Sequence, residues 1–597
     1  MIVTLFSKTF PVERKRKMFR KILGYLICSL GSIFFFLSIF FDYLNEGTMN
    51  FGPKQIILVI VSIILICLGF LLIRNIRFSK TFHAINNVLP PVNPLITTIV
   101  IFLLIALMTI YPIKFVINYL SSPYPFEYRD AAGISAANAF SNGVNPYRLE
   151  NFPMNIYLYG ILSPLLLSVF INLVDHPMVA AKGFDFFFLI MLLVLSFYIF
   201  RKRKASIESS LIGILLLLNS FCLIWKINGS RPDASGLFFV VFGYSTLFFK
   251  DRPNNIHIIL CALFSVISFY FKQYMVFSIP IVFLYLFFFV SKQKGLIFIS
   301  AGAMMGFISF LLLRHLFPLY YEYSIIHHMK FWDSSISHML KQTIFFLKYF
   351  WVLCIFYLFY LYDKFSTFNS KVLKRIRIRL IEFEAAFVQG CSMDLLDIGI
   401  IISIILLTFS LGKHIGNQYT YYGELLLPFL LYLTIPKIDE LIKTNLIRFL
   451  IQFSLIAFCI YPFQSTYKID FLSHNTAFNT IYKYADRCNY IYDKTPLIAV
   501  YKIEHNMIPI FNNGQNEYAR SVIPVKGTIF EKFSKQTSES INLKLFKWEN
   551  NIEESIDNQK FDCIFAEDGQ NIENYIQLAK VEHVLGRTVY IFKPGQQ

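Results

Sequence analysis

Apolar runs recur along most of this 597-residue chain, and at about 17 to 22 residues each is long enough to cross a hydrocarbon core about 30 Å thick. That recurrence constrains the fold more than any other feature. A backbone surrounded by lipid must satisfy its own amides, and a single apolar segment does so only as a helix. Composition agrees: 56% of the residues are hydrophobic and 15% charged, against about 25% charged in an average soluble domain. The chain is expected to be an α-helical polytopic membrane protein. Its first run, Ile22 to Phe41, follows "ERKRKMFRK" and lacks the small-residue cleavage site of a removable signal peptide, so it is expected to stay as an anchor.

The net charge of +18 raises the question of nucleic acid. The Lys and Arg residues, however, cluster at the ends of apolar runs, where positive-inside sorting places them, and no nucleic-acid partner is expected. The nine cysteines form no CxxC pair or zinc-ligand spacing. Cys488 and Cys563 alone could meet in an extramembrane domain, and free thiols are the expected state.

Taking the basic amino terminus as cytoplasmic, spans are expected at Ile22 to Phe41, Gln55 to Ile73 and Leu95 to Leu120. The run Ile156 to Val174 is interrupted by Pro164, and if it crossed, "RKRK" at Arg201 to Lys204 and "KVLKRIRIR" at Lys371 to Arg379 would lie outside. It is therefore read as an outer interfacial helix, with the crossing at Val179 to Phe200. Further spans follow at Leu211 to Trp225, Ala234 to Phe249, Ile256 to Phe271, Tyr274 to Val290, Leu296 to Leu313, Thr343 to Leu361, Ile398 to Leu411, Tyr421 to Ile435 and Leu446 to Tyr461, about thirteen in all. Three regions result: residues 1–94, basic and with two spans; 95–463, a membrane core with a large outer loop over 121–178; and 464–597, whose mixed composition and β-like runs "PLIAVY" and "FDCIFA" predict a small extracytoplasmic α/β domain.

On this threading, the polar residues that topology does not explain collect outside. "YPFEYRDAAGISAANAFSNGVNPY", Tyr124 to Tyr147, carries Glu127, Arg129 and Asp130; "KINGSRPD" carries Arg231 and Asp233; Lys272 and Gln273 follow, then "RHLFPLYYEYSIIHHMKFW" and "GKHIGNQYTYYGE". Cations on the cation-poor side need a reason, and an anionic ligand is the simplest. Plainer readings stand beside this one. Arg231-Pro232-Asp233 suits a helix start, Lys272 and Gln273 suit a snorkelling span end, Asp130 suits a solvated loop charge, and adjacent His327 and His328 diverge on a helix and do not readily share a metal.

"EYRDAAGISAANAFSNGVNPY" followed by "YLYGILSPLL" resembles the first large outer loop of the GT-C superfamily of integral-membrane glycosyltransferases, particularly the bacterial protein mannosyltransferase and aminoarabinose transferase families. The resemblance runs from Pro123 to Pro428 and takes in "GSRPDASGLF", "FYFKQY" and "GNQYTYYGELLLPFL". Such enzymes move a sugar from a polyprenyl-phosphate donor in the outer leaflet to a glycan, lipid or protein acceptor. A carboxylate must take the acceptor proton and cations must stabilise the departing phosphate. The resemblance implies Asp130 as the base, with Glu127 second, and an inverting transfer. Arg231, Lys272, Gln273 and Lys413 would hold the donor phosphate. Asn145, Tyr147, Tyr157, Asp233, His414, Asn417, Tyr421 and Tyr422 would line the pocket. Asp130 is followed by Ala131 where many relatives carry a second acid; no metal ligand is assigned, and a divalent cation stays open. A transporter or flippase of lipid-linked sugars, or an oligosaccharide polymerase or ligase, would also use outer cations.

Overall fold

The computed structural model describes residues 93–148, 151, 157, 159–248, 253–321, 324–325, 335–366, 394–413, 419–441, 445–467, 469–493, 498–505, 553–566, 572, 574–584 and 587–595. The two expected amino-terminal spans, the loop Lys371 to Arg379 and the pair His327 and His328 lie outside these residues.

Within them the apolar runs are helices, started by the residues that precede them. Asn93 accepts the Leu95 amide at 2.9 Å and Pro94 follows, opening α1 (Pro94–Ser121). The outer loop supplies α2 (Tyr128–Ser141) and α3 (Leu162–Phe170), the latter extended by one 3-10 turn, Ile171–Leu173. Together Leu162–Leu173 rise only about 20 Å, so the helical part of the run expected to lie at the interface is short of a hydrocarbon core about 30 Å thick. Next come α4 (Pro177–Lys202), α5 (Ile207–Asn228), α6 (Asp233–Phe248) and α7 (Asn255–Phe271). The stretch Gln273–Val290 is one continuous helical column with a 3-10 start, α8 (Ser278–Tyr285) and a π-helical end. After α9 (Lys292–Leu316), α10 (Ile336–Ser366) and α11 (Leu395–Phe409), a π turn at Tyr422–Leu426 leads into α12 (Leu427–Leu441). The core ends with α13 (Asn445–Leu455), continued by a π turn and a 3-10 turn to Tyr467.

Seven helical stretches among the described residues are long and apolar enough to cross a membrane. The expected spans at α6, α7 and α11 are shorter apolar helices of 16, 17 and 15 residues. Burial orders the bundle. The apolar window of α5 is 72% buried and that of α9 only 6%, so α5 is the central post and α9 stands at the periphery with its side chains exposed.

The two ends of the bundle differ. At one, Arg203 pairs with Asp394 at 2.9 Å, and the Asp439 carboxylate accepts the Ser206 amide at 2.6 Å and the Ser209 hydroxyl at 2.9 Å. The opposite end gathers the carboxyl termini of α1, α5 and α7 and the amino termini of α4 and α6.

The carboxyl-terminal part is an α/β domain. Its sheet has the order β1-β2-β4-β3, with β1 (Ile491–Asp493) parallel to β2 (Cys563–Ala566), and β4 (Arg587–Pro594) antiparallel to both β2 and β3 (Tyr575–Val584). Around it lie α14 (Phe471–Ala485), capped by Asp470, and α15 (Ala499–Glu504). Cys488 and Cys563 are joined in a disulfide, with their Cα atoms 6.0 Å apart. This corrects the expectation of free thiols: Cys488 follows α14 closely, and β1–β2 pairing brings that turn beside the start of β2. Glu567 and Asp568 lie outside the described residues.

The domain docks on the core through α14. Tyr124 stacks on Phe478 at 5.2 Å and its hydroxyl bonds Asn479, Ser122 bonds Asn475 at 2.9 Å, and Phe126 stacks on His474 at 4.6 Å. The end of the bundle that carries the outer loop is thus the end that carries this domain.

Candidate active site

Two prolines shape the approach to Asp130. In Ser122-Pro123-Tyr124-Pro125-Phe126-Glu127, residues 123 and 125 have no amide hydrogen, so no regular structure forms until α2 begins at Tyr128. Asp130, in the first turn of α2, then reaches back. Its Oδ2 accepts the amides of Phe126 at 3.0 Å and Glu127 at 3.2 Å, the reciprocal half of a capping box. Its other oxygen, Oδ1, is buried and makes no hydrogen bond among the described residues, and the residue is 2% exposed. Burial, with Glu127 adding to it, pushes the Asp130 carboxyl up to about 7, against the opposing Phe126 amide, Lys182 and Arg231.

Against Asp130 lies the turn that ends α5. Gly229 there has φ 66° and ψ −157°, a region open essentially to glycine alone. Two residues on, Arg231 pairs with Glu127 at 3.1 Å, and its buried Nε has no hydrogen-bond partner among the described residues. Lys272, just past α7, is ion-paired with Asp233 at the start of α6 and stands 4.0 Å from Glu424. The Tyr274 hydroxyl reaches Asp233 at 3.0 Å and also bonds Glu424. Tyr159 joins the two clusters: Arg231 lies 5.5 Å and Lys272 5.3 Å from its ring centre. The ring is held there because the Gly160 amide bonds the Phe271 carbonyl at 3.2 Å, and a β-carbon on Gly160 would meet the Tyr270 carbonyl oxygen at 2.0 Å.

The structure therefore brings together Asp130, Glu127, Arg231, Asp233 and Lys272, with Tyr421 edge-on to Tyr274 at 4.8 Å. Tyr157 belongs to the same wall, its ring against Gly133 of α2. Other expected site residues make contacts within the bundle and the loop. Asn145 bonds the Leu316 carbonyl at 2.7 Å, Tyr147 is fully buried and bonds the Tyr157 carbonyl at 2.9 Å, and Gln273 bonds the Ser324 carbonyl at 3.0 Å. Tyr422 bonds Thr343 at 2.7 Å, and the Lys413 carbonyl accepts the Ser335 amide at 3.0 Å. His414 and Asn417 lie outside the described residues. Among those described, no group of three or more His, Cys, Asp or Glu side chains converges so as to hold a metal ion.

Sequence reasoning passed over Lys182, Asp185, Glu424, Tyr159 and Tyr274. Lys182 is fully buried, and Asp185 accepts the Trp225 indole N–H at 2.5 Å. The missed signal was their position: a charge inside an apolar run is costly and is retained for function or for a partner. Here Lys182 and Asp185 sit within the run Val179 to Phe200, and Glu424 within Tyr421 to Ile435.

No family model matches the chain, and no curated protein matches it. Among solved structures, the chain is similar to ArnT from Cupriavidus metallidurans. The apo state aligns with a TM-score of 0.47 at 10% identity, over 83% of this chain and 98% of ArnT. The structure of the same protein bound to undecaprenyl phosphate aligns with a TM-score of 0.43 at 11% identity, over 82% of this chain and 97% of the other.

Proposed function

We propose that this multi-pass membrane protein transfers a sugar from a polyprenyl-phosphate donor to an extracytoplasmic acceptor, with Asp130 as general base. In the reaction the acceptor O–H or N–H gives its proton to Asp130 Oδ1, the acceptor atom bonds the anomeric carbon, and the phosphate departs with the electron pair of the broken C–O bond. A phosphate leaves without protonation, so one carboxylate suffices and the anomeric centre inverts. Arg231 and Lys272 receive the phosphate charge.

The observation that carries this reading is the free, buried Oδ1 of Asp130 beside the turn that presents Arg231. Its test is Asp130→Asn, which keeps the size and hydrogen bonding of the side chain but not its basicity. In proteoliposomes with labelled polyprenyl-phosphate sugar, the variant is expected to transfer about 100- to 10,000-fold more slowly, with donor binding changed little. Wild-type turnover in the folded variant would remove Asp130 from the chemistry.

A flippase is the second reading, and the ionisable residues Asp185 and Glu424 buried inside helices favour it. The same vesicles decide: a flippase moves labelled donor between leaflets and leaves the sugar on its lipid.

A further inference from the structure

The Pro-rich segment before α2 is held from both ends by opposite charges. At its far end the Asp130 carboxylate takes the amides of Phe126 and Glu127. At its near end the ammonium of Lys182, in the second turn of α4, donates to the carbonyls of Ser122 at 2.6 Å and Tyr124 at 2.8 Å. Both carbonyls precede a proline and have no ladder to join, and Ser122 and Tyr124 are buried under α14, away from water. Lys182 is itself 0% exposed, with Nζ 4.8 Å from the Tyr119 ring centre and 4.7 Å from that of Phe126. Burying an ammonium this completely is costly unless its hydrogen bonds and neighbours compensate, and the Ser122–Glu127 segment supplies them.

We propose that Lys182 is a positioning residue for Asp130: by gripping the Ser122 and Tyr124 carbonyls it fixes the segment whose amides hold Oδ2, and so sets where Oδ1 points. This rests on Asp130 being the base. The ionisable groups around Asp130 are Glu127 just before its own helix, Lys182 and Asp185 from α4, Arg231 from the turn after α5, Tyr119 from α1 and Tyr157 from the loop. His474 of α14 faces Lys182 and is pushed down to about 4 by burial and then by that ammonium, so it adds no charge at neutral pH. Lys182 and Arg231 are thus the cations that favour the ionised carboxylate, and removing Lys182 makes Asp130 harder to deprotonate.

The test is Lys182→Gln in the full-length protein, with Lys182→Met as the second variant. Two readouts are taken. Hydrogen exchange of the peptide spanning Ser122 to Asp130, whose prolines leave few amides, is expected to speed by about tenfold at Phe126 and Glu127 while α5 stays protected. Turnover is expected to fall about 10- to 100-fold with donor KM changed less than about twofold, and the acid limb of the rate profile to move up by about one pH unit. Unchanged exchange, or an acid limb that stays in place, overturns the proposal. Loss of folding in both variants also overturns it, because Lys182 would then be structural. The exchange result needs no activity, so it stands apart from the Asp130→Asn test: wild-type turnover of Asp130→Asn removes the base, whereas fast turnover with loosened Phe126 and Glu127 amides in Lys182→Gln overturns the positioning role and leaves Asp130 as the base.

Discussion

Gly229 lies directly against Asp130: a β-carbon built on Gly229 would stand 2.1 Å from Oδ1 and 2.2 Å from Oδ2. The α5 turn and the α2 carboxylate therefore fit only because position 229 has no side chain. Gly229→Ala meets two costs, strain of about 1–3 kcal/mol from the backbone conformation and displacement of the carboxylate. We expect a lowered Tm and a transfer rate reduced by about 100-fold or more in protein that still folds. A near wild-type rate would show that the Asp130 carboxylate need not sit where it does.

Arg231 is already paired in the unliganded protein, with Glu127 at 3.1 Å and side-chain exposures of 4% and 15%. A donor phosphate must compete with that carboxylate for the guanidinium. Glu127→Gln withdraws the competing charge, so the donor Kd is expected to tighten by about 3- to 10-fold while turnover stays within about threefold. Loss of a partner from a buried pair also lowers stability, which thermal unfolding would register. Turnover that collapses with the donor Kd unchanged would make Glu127 the base in place of Asp130.

Burial, then Glu127, pushes Asp130 up to about 7, and a base works only when deprotonated. The rate is expected to rise about tenfold per pH unit below 7 and to level off above it. The stability sign is opposite. The folded state holds this proton more tightly than the unfolded chain, whose Asp titrates near about 3.9, so the group's favourable contribution is complete at acid pH and is lost as pH rises through about 7. Profiles of kcat/KM between about pH 5 and 9 check the first statement, and a plateau reaching pH 5 would contradict it.

The spans were legible because run length and apolarity are local properties, and α1, α4, α5 and α9 start within a few residues of their expected positions. Asp130, Arg231 and Lys272 were legible as charges in loops that topology leaves unexplained. Lys182, Asp185 and Glu424 were not, since each was counted within a span and its partner lies on a different element, as with Asp185 and Trp225 on α4 and α5. Asn145 and Tyr147 entered the expected pocket only through the family resemblance; their hydrogen bonds run to the Leu316 and Tyr157 carbonyls, partners distant in sequence or across the loop that no local pattern specifies. Pairing across 75 residues of sequence, as in Cys488–Cys563, follows from strand order, which short β-like runs do not specify.

That disulfide bears on which side of the membrane the site faces. Disulfides persist in oxidising compartments, and α14, one turn before Cys488, lies against Ser122 to Phe126 beside Asp130. The domain and the carboxylate therefore share one side, and we expect that side to be external. In intact cells an impermeant thiol reagent should modify Cys488 and Cys563 only after reduction, and mass spectrometry of unreduced protein should recover the cross-linked peptide. Cys563→Ser should lower the stability of the domain by about 2–5 kcal/mol and loosen α14 from the loop, slowing transfer without removing it. Recovery of both cysteines as free thiols, labelled only after the cells are opened, would place the domain and Asp130 with it in the cytoplasm, and the extracytoplasmic acceptor would fall.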